Sequence, residues 1–121
     1  MAVTTTPLSN PIGSAIVTDT DADETGENNV RGAGSTIYQV DIDNSGNGAA
    51  SYLKIYNNAS PVVGTTAPDI VIMAPASGRR VWTDTTGTAL GTALSFACVT
   101  TAGTAGTTGP TSAVTVRILC T

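Results

Sequence analysis

The chain has 121 residues, enough for one domain with a single core, and aromatic residues make up only 4% of it, so small aliphatic side chains must fill that core. Charged residues are 12% of the sequence, histidine is absent, and nine acidic against five basic residues give a net charge of −4. This balance excludes a basic stripe for nucleic acid, and the lack of imidazole removes the commonest general base and transition-metal ligand.

The N-terminal residues 1–11 carry neither the positively charged start nor the apolar stretch of a secretory signal. No apolar run approaches the roughly 20 residues that cross a bilayer. We therefore expect a protein that is made in the cytoplasm and has no membrane segment.

An extended arm is predicted over residues 1–13, because three consecutive threonines and two prolines favour extended backbone and oppose a helix. The arm is either a frayed tail or a segment that lies on a neighbouring subunit and orders on assembly. Residues 14–121 are predicted to form one domain. The candidate interface residues of the arm are Pro7, Leu8, Pro11 and Ile12.

The first strands follow from alternation and turn chemistry. A short strand is expected over 14–20, an exposed acidic loop over 21–34, and a strand with one buried face over 35–43. The Asn- and Gly-rich stretch 44–48 then predicts a hairpin into 51–56, with Leu53 and Ile55 facing the core and Tyr52, Lys54 and Tyr56 on the opposite face. Further strands are predicted at 69–73, 79–83, 93–100 and 112–119.

Seven or eight short strands without a helical period predict an all-β fold. The expected architecture is an antiparallel β-sandwich, and a jelly-roll and an immunoglobulin-like strand order both remain open.

Two acidic segments resemble calcium-binding loops, and both depart from the EF-hand pattern. The loop beginning at Asp41 has Gly46 in the sixth place but Tyr52 in the twelfth, where the pattern needs Glu. The loop beginning at Asp19 has Glu24 in place of the glycine and Val30 in place of the glutamate. We therefore predict no metal ligand, no cofactor, no catalytic residue and no enzyme, and leave open a weak cation site at a subunit boundary.

Cys98 and Cys120 both have the parity of core-facing residues. If residues 101–111 form a hairpin, Cys98 lies opposite Val114 and about 20 Å from Cys120, which is too far for a disulfide. Two reduced, buried thiols are predicted.

Arg79, Arg80 and Trp82 form the one paired basic feature beside the one tryptophan. They are read either as a core tryptophan flanked by surface arginines or as an interface anchor, since Trp and Arg are enriched in protein interfaces.

The segments 37–44 (IYQVDIDN) and 49–56 (AASYLKIY) resemble small virion proteins of tailed bacteriophages, including cyanophages, and residues 93–110 are similar to the same group. The resemblance covers residues 35–121 and lies in strands and turns. It implies a capsid decoration, or cement, protein on the phage head, which bridges neighbouring copies of the major capsid protein and self-associates, most often as a homotrimer.

Two other functions are carried alongside. One is a small tail, neck or baseplate component of a phage. The other is a carbohydrate-binding module, for which Tyr52, Tyr56 and Trp82 would have to form an exposed platform. Neither nucleic acid nor a membrane is expected as a partner.

Overall fold

The computed structural model describes residues 2–7 and 12–121, which form eight antiparallel strands in two facing sheets and contain no helix. The predicted antiparallel β-sandwich is confirmed. The strands are β1 (Val3–Pro7), β2 (Ala15–Ala22), β3 (Ser35–Asp43), β4 (Ser51–Tyr56), β5 (Ile70–Ala74), β6 (Arg79–Leu90), β7 (Ser95–Val99) and β8 (Val114–Cys120).

The five-stranded sheet has the order β1-β2-β8-β3-β6, and the three-stranded sheet has the order β5-β4-β7. After β2 the chain passes beside β7 through a single bridge between Glu27 and Phe96 before it returns as β3. From there every connection except β4 to β5 crosses between the sheets. This is the strand order of a jelly roll with one strand of the smaller sheet reduced to that bridge, and β1 is added outside it.

The predicted hairpin between residues 35–43 and 51–56 is wrong. Strand β3 pairs with β6 and β8, whereas β4 pairs with β5 and β7 in the other sheet. The assumed hairpin over residues 101–111 is wrong for the same reason, since β7 and β8 lie in different sheets. Turn residues specify a change of direction, but they do not specify which strand the chain pairs with afterwards.

Most predicted strands lie within two residues of the observed bounds, and two segments differ by more. Residues 3–7 of the predicted arm form β1, which pairs with β2 of its own chain, while residues 8–11 lie outside the described residues. Strand β6 continues to Leu90, well past the predicted end at residue 83, because it bulges at Asp84. That carboxylate accepts hydrogen bonds from Thr86, Gly87 and Thr88, which stabilise the bulge.

The core lies between the two sheets and consists of side chains at alternate strand positions, as the period of two requires. Its fully buried members include Val17, Ile37, Ile42, Leu53, Leu94 and Ile118. Thus β2, β3 and β8 face β4 and the β7 region across the sandwich.

Cys98 and Cys120 are free and fully buried in opposite sheets. The prediction of two buried thiols is therefore confirmed, although the hairpin used to derive it does not exist. Burial raises the pKa of Cys98 to about 12 and also raises the pKa of Cys120.

Candidate functional site

The candidate interface residues do not form one surface. Pro7 ends β1 at one margin of the five-stranded sheet, whereas Arg79 and Trp82 lie on β6 at the other margin. Strands β2, β8 and β3 separate them. Ile12 lies near the first margin with 66% of its surface exposed, and Leu8 and Pro11 lie outside the described residues.

Arg79 lies on the solvent-facing side of β6. Its Nε and Nη2 donate hydrogen bonds to the two carboxylate oxygens of Asp41 on β3, at 2.9 and 3.2 Å. These hydrogen bonds raise the pKa of Arg79. Because the arginine side chain is 52% exposed, the pair contributes little to stability and mainly fixes the position of the guanidinium group.

Arg80 and Trp82 close the side of the sandwich where β6 approaches β5. Arg80 Nε donates a hydrogen bond of 3.0 Å to the carbonyl of Met73 on β5. Trp82 is half-buried and packs against the core cluster. The tryptophan therefore completes the margin of the core, with part of its surface left for contact.

One of the four main-chain edges of the two sheets is covered by a loop among the described residues. The outer edge of β7 is covered by residues 23–30, since Glu27 and Phe96 exchange two hydrogen bonds and Cys98 N donates to Asp23 O. Among the described residues, β1 pairs only with β2, β6 only with β3 and β5 only with β4, so both margins of the five-stranded sheet lack a further strand. We call the free main-chain sides of β1 and β6 the open edges.

The solvent-facing side of the five-stranded sheet lies between the open edges. One row across it is formed by Thr18, Arg117, Asp41 and Val81, which are direct partners on adjacent strands. All four side chains are half-buried or exposed, and Val81 is 51% exposed. We call this side the open face. It mixes threonine, valine and both signs of charge.

A buried carboxyl group lies at the inner side of the β1–β2 pair. Asp19 is fully buried, its Oδ1 accepts a hydrogen bond from Asp21 N, and its Oδ2 has no hydrogen-bond donor among the described residues. Burial raises the pKa of Asp19 to about 7, and burial also raises the pKa of Glu27 nearby. A side-chain hydrogen bond with Asp19 lowers the pKa of Asp21, so a proton shared by this pair resides on Asp19.

Lys54 was predicted to lie on the side of β4 opposite the core, and it does, but that side is not open to solvent at this position. Its side chain is fully buried because the loop between β7 and β8 lies over the outer side of the three-stranded sheet. The ammonium nitrogen donates to the carbonyls of Gly103, Gly106 and Thr104, at 2.6, 2.9 and 3.4 Å. Burial lowers the pKa of Lys54. These hydrogen bonds attach the β7–β8 loop to β4, so Lys54 has a structural role.

A second polar cluster holds three connections together. Asn44 Oδ1 accepts from Asn47 Nδ2 and from the hydroxyl of Ser51, while Asn44 Nδ2 donates to the carbonyls of Ala49 and Pro75. Asn47 reaches the end of the β7–β8 loop at Ser112. The sequence signalled only a turn at these asparagines, since side-chain amides of this kind serve turns and buried clusters equally well.

The calcium-like loop beginning at Asp41 does not bring its oxygens together. Asp41 pairs with Arg79, Asp43 accepts a hydrogen bond from Ser45 N, and Asn44 points into the buried cluster. Within residues 2–7 and 12–121, no three acidic, cysteine or histidine side chains converge on a point where a metal ion could bind.

The proposed sugar-binding platform is not formed. Tyr56 is fully buried, Tyr52 is half-buried on β4, and Trp82 lies on β6 in the other sheet. A shallow depression of about 240 Å³ does exist elsewhere, between the start of β3 and the end of β6, and none of its lining residues is charged.

Comparison with known proteins found no matching protein family, no matching curated protein and no matching solved structure. In the part of the chain that the structure describes, no helix has the length and apolar character needed to span a membrane.

Proposed function

We propose that this protein is a structural component of a phage virion, and specifically a capsid decoration, or cement, protein that bridges neighbouring major capsid subunits. The observation that carries the proposal is the pair of open edges on the five-stranded sheet. Four strand spacings separate them, or about 19 Å. One molecule can therefore contact two neighbours with opposite margins of the same sheet.

The fold and the surface are consistent with this role. Jelly rolls occur in viral capsid domains as well as in lectins, although a fold alone does not assign a function. The open face offers a contact area of threonine, valine and both signs of charge, with Arg79 held in place by Asp41. The resemblance of residues 35–121 to small phage virion proteins points in the same direction.

The mechanism requires only binding. A protein with higher affinity for the assembled shell than for its free subunits stabilises the shell by that difference in binding free energy. Self-association, for which we propose a homotrimer, multiplies the contacts that one bound unit makes.

The test compares phage particles that contain this protein with particles that lack it. Complete particles are expected to retain their DNA to a higher temperature and through stronger osmotic shock. Adding the purified protein back to deficient particles should restore the difference. Equal DNA release from both preparations would overturn the proposal.

A tail, neck or baseplate position is the second candidate, because the same open edges could join subunits there. Labelled antibodies on intact particles distinguish the two locations. A cement protein decorates the head in many copies, whereas a tail component gives label only on the tail.

A further inference from the structure

The first strand is attached to the fold almost entirely through its main chain. All five residues of β1 pair with β2, from Val3 opposite Asp19 to Pro7 opposite Ala15. Only Val3 packs against the core, and Thr4 to Pro7 are exposed. The eight-residue β2 keeps its second partner, β8, whether or not β1 is present. Removing β1 from β2 therefore leaves the sandwich closed.

We propose that β1 is exchanged between copies of this chain, so that β1 of one molecule pairs with β2 of a second copy. The inference goes beyond the proposed function, since it concerns how copies join and holds wherever the protein acts. Exchange preserves every β1–β2 contact, and only the connection between the strands changes its course.

The connection is suited by its sequence to joining two molecules. Residues 8–14 link β1 to β2, and the two prolines, Pro7 directly before this connection and Pro11 within it, favour extended backbone. Fully extended, seven residues reach roughly 25 Å, which exceeds the separation of about 19 Å between the two margins of the five-stranded sheet. Ile12, which is 66% exposed in the single chain, is available for a neighbouring molecule to cover.

The strand that fits the edge of β2 is β1 of a second copy of this chain. The position opposite Asp19 takes Val3, the only β1 side chain that reaches the core, and Ala2 N donates a hydrogen bond of 3.2 Å to Asp21 Oδ1 beyond it. A strand that replaces β1 must therefore carry a medium-sized apolar residue directly after a free main-chain donor. The N-terminus of another copy supplies both in the correct register.

The equilibrium between the closed and exchanged forms depends on concentration. Within one chain, a short connection holds β1 near β2 at an effective concentration on the order of millimolar. Exchange becomes favourable when neighbouring copies reach a comparable local concentration.

The test is a cysteine pair placed across β1 and β2. Thr4 and Thr18 are direct partners on the solvent-facing side of the sheet, and antiparallel partners lie within the distance that a disulfide needs. The double variant T4C/T18C is oxidised at chain concentrations up to the roughly millimolar range, alkylated and run on a denaturing gel without reductant. We expect covalent oligomers whose fraction rises several-fold with concentration.

The matched control is Q39C/T83C, whose residues are direct partners on β3 and β6 within the sandwich. This pair is expected to close within single chains at every concentration. Isotope-labelled and unlabelled copies of T4C/T18C, mixed before oxidation, should give disulfide-linked peptide pairs in which one peptide is labelled and the other is not. If that variant forms its disulfide only within single chains, or fails to form one while the control succeeds, exchange is excluded. Cross-linking to a different protein in particles, and never to a second copy, would also contradict it.

Discussion

Val3 lies directly opposite Asp19 across the β1–β2 pair, so the single β1 side chain that packs on the core also covers a carboxyl group with no access to solvent. Because burial favours the neutral form of this carboxyl group, we expect the stability of the domain to depend on pH in a direction opposite to ordinary acid denaturation.

The free energy of unfolding is expected to fall between about pH 4 and pH 7. The pKa of Asp19 is about 7 in the folded chain against 3.8 as its ordinary value, so the folded state binds a proton that the unfolded state has released. The stabilisation from Asp19 is fully present at pH values below its ordinary pKa of 3.8. It is lost as the pH rises through the pKa of about 7 that Asp19 has in the folded chain. The shift corresponds to at most about 4 kcal/mol. Urea unfolding at pH 5 and pH 8 measures the difference.

Asp19→Asn tests whether Asp19 causes this pH dependence of stability, because the amide keeps the shape of the carboxyl group and cannot ionise. The variant is expected to show a much smaller change in stability between pH 5 and pH 8 than the natural chain. Glu24→Gln makes the same chemical change at an exposed position and should leave the pH dependence intact. If Asp19→Asn were to keep the full pH dependence, another group would be responsible. Glu27, whose pKa is also raised by burial, would be the next to substitute.

Lys54→Met is expected to destabilise the domain and release the β7–β8 loop. The substitution keeps an unbranched apolar chain but removes the donor to the carbonyls of Gly103, Thr104 and Gly106. Partly buried acceptors left without a partner predict a loss at the lower end of about 1–3 kcal/mol, reduced further because a buried charge is also removed. Thermal unfolding measures the loss, and limited proteolysis with a broad-specificity enzyme detects new cleavage near Gly103.

Arg117→Met removes one positive charge from the open face and is the control for that experiment, since Arg117 is exposed. The free energy of unfolding of Arg117→Met should differ from that of the natural chain by less than about 0.5 kcal/mol, and its β7–β8 loop should still resist proteolysis. Equal proteolysis of the two variants would show that Lys54 does not hold the loop.

The strands and the core were predictable from local patterns, and the example of β3 shows why. Val40 and Ile42 alternate with Asp41 and Asp43, and this period of two survives in the folded chain as a buried and a solvent-facing side. The same logic placed Leu53 and Ile55 in the core. Alternation reports which residues share a side of a strand, whatever the strand pairs with.

The surroundings of the candidate site residues could not be predicted, because they depend on segments that lie far apart in the sequence. Lys54 was assigned correctly to the outer side of its sheet, but nothing near it indicates that residues 100–113 cover that side. Likewise, the distance between Pro7 and Arg79 depends on three strands lying between β1 and β6. Strand order and loop placement arise from long-range packing, so a single sequence without related sequences leaves them open.

Cys98 and Cys120 are expected to be inert toward thiol reagents in the folded protein. Both are fully buried and burial raises the pKa of each, so little thiolate is present at neutral pH. A chromogenic disulfide reagent should react with no thiol before unfolding and with two thiols per chain in denaturant. Thr4→Cys, at an exposed position of β1, is the positive control and should add one rapidly reacting thiol. Rapid reaction of the natural chain would mean that the sheets separate readily.

Tyr56→Phe is expected to leave the stability unchanged or to raise it, unlike most substitutions in a core. The Tyr56 hydroxyl is buried and has no hydrogen-bond partner among the described residues. Removing a polar group in that situation relieves a desolvation cost of about 1–3 kcal/mol, while the ring keeps its packing. The comparison is Tyr52→Phe, because Tyr52 is half-buried on the same side of β4 and can keep its hydroxyl in water. Thermal unfolding of the two variants should therefore give the higher midpoint for Tyr56→Phe. A loss of more than about 1 kcal/mol at Tyr56 alone would instead show that its hydroxyl has a bound partner, such as an internal water molecule.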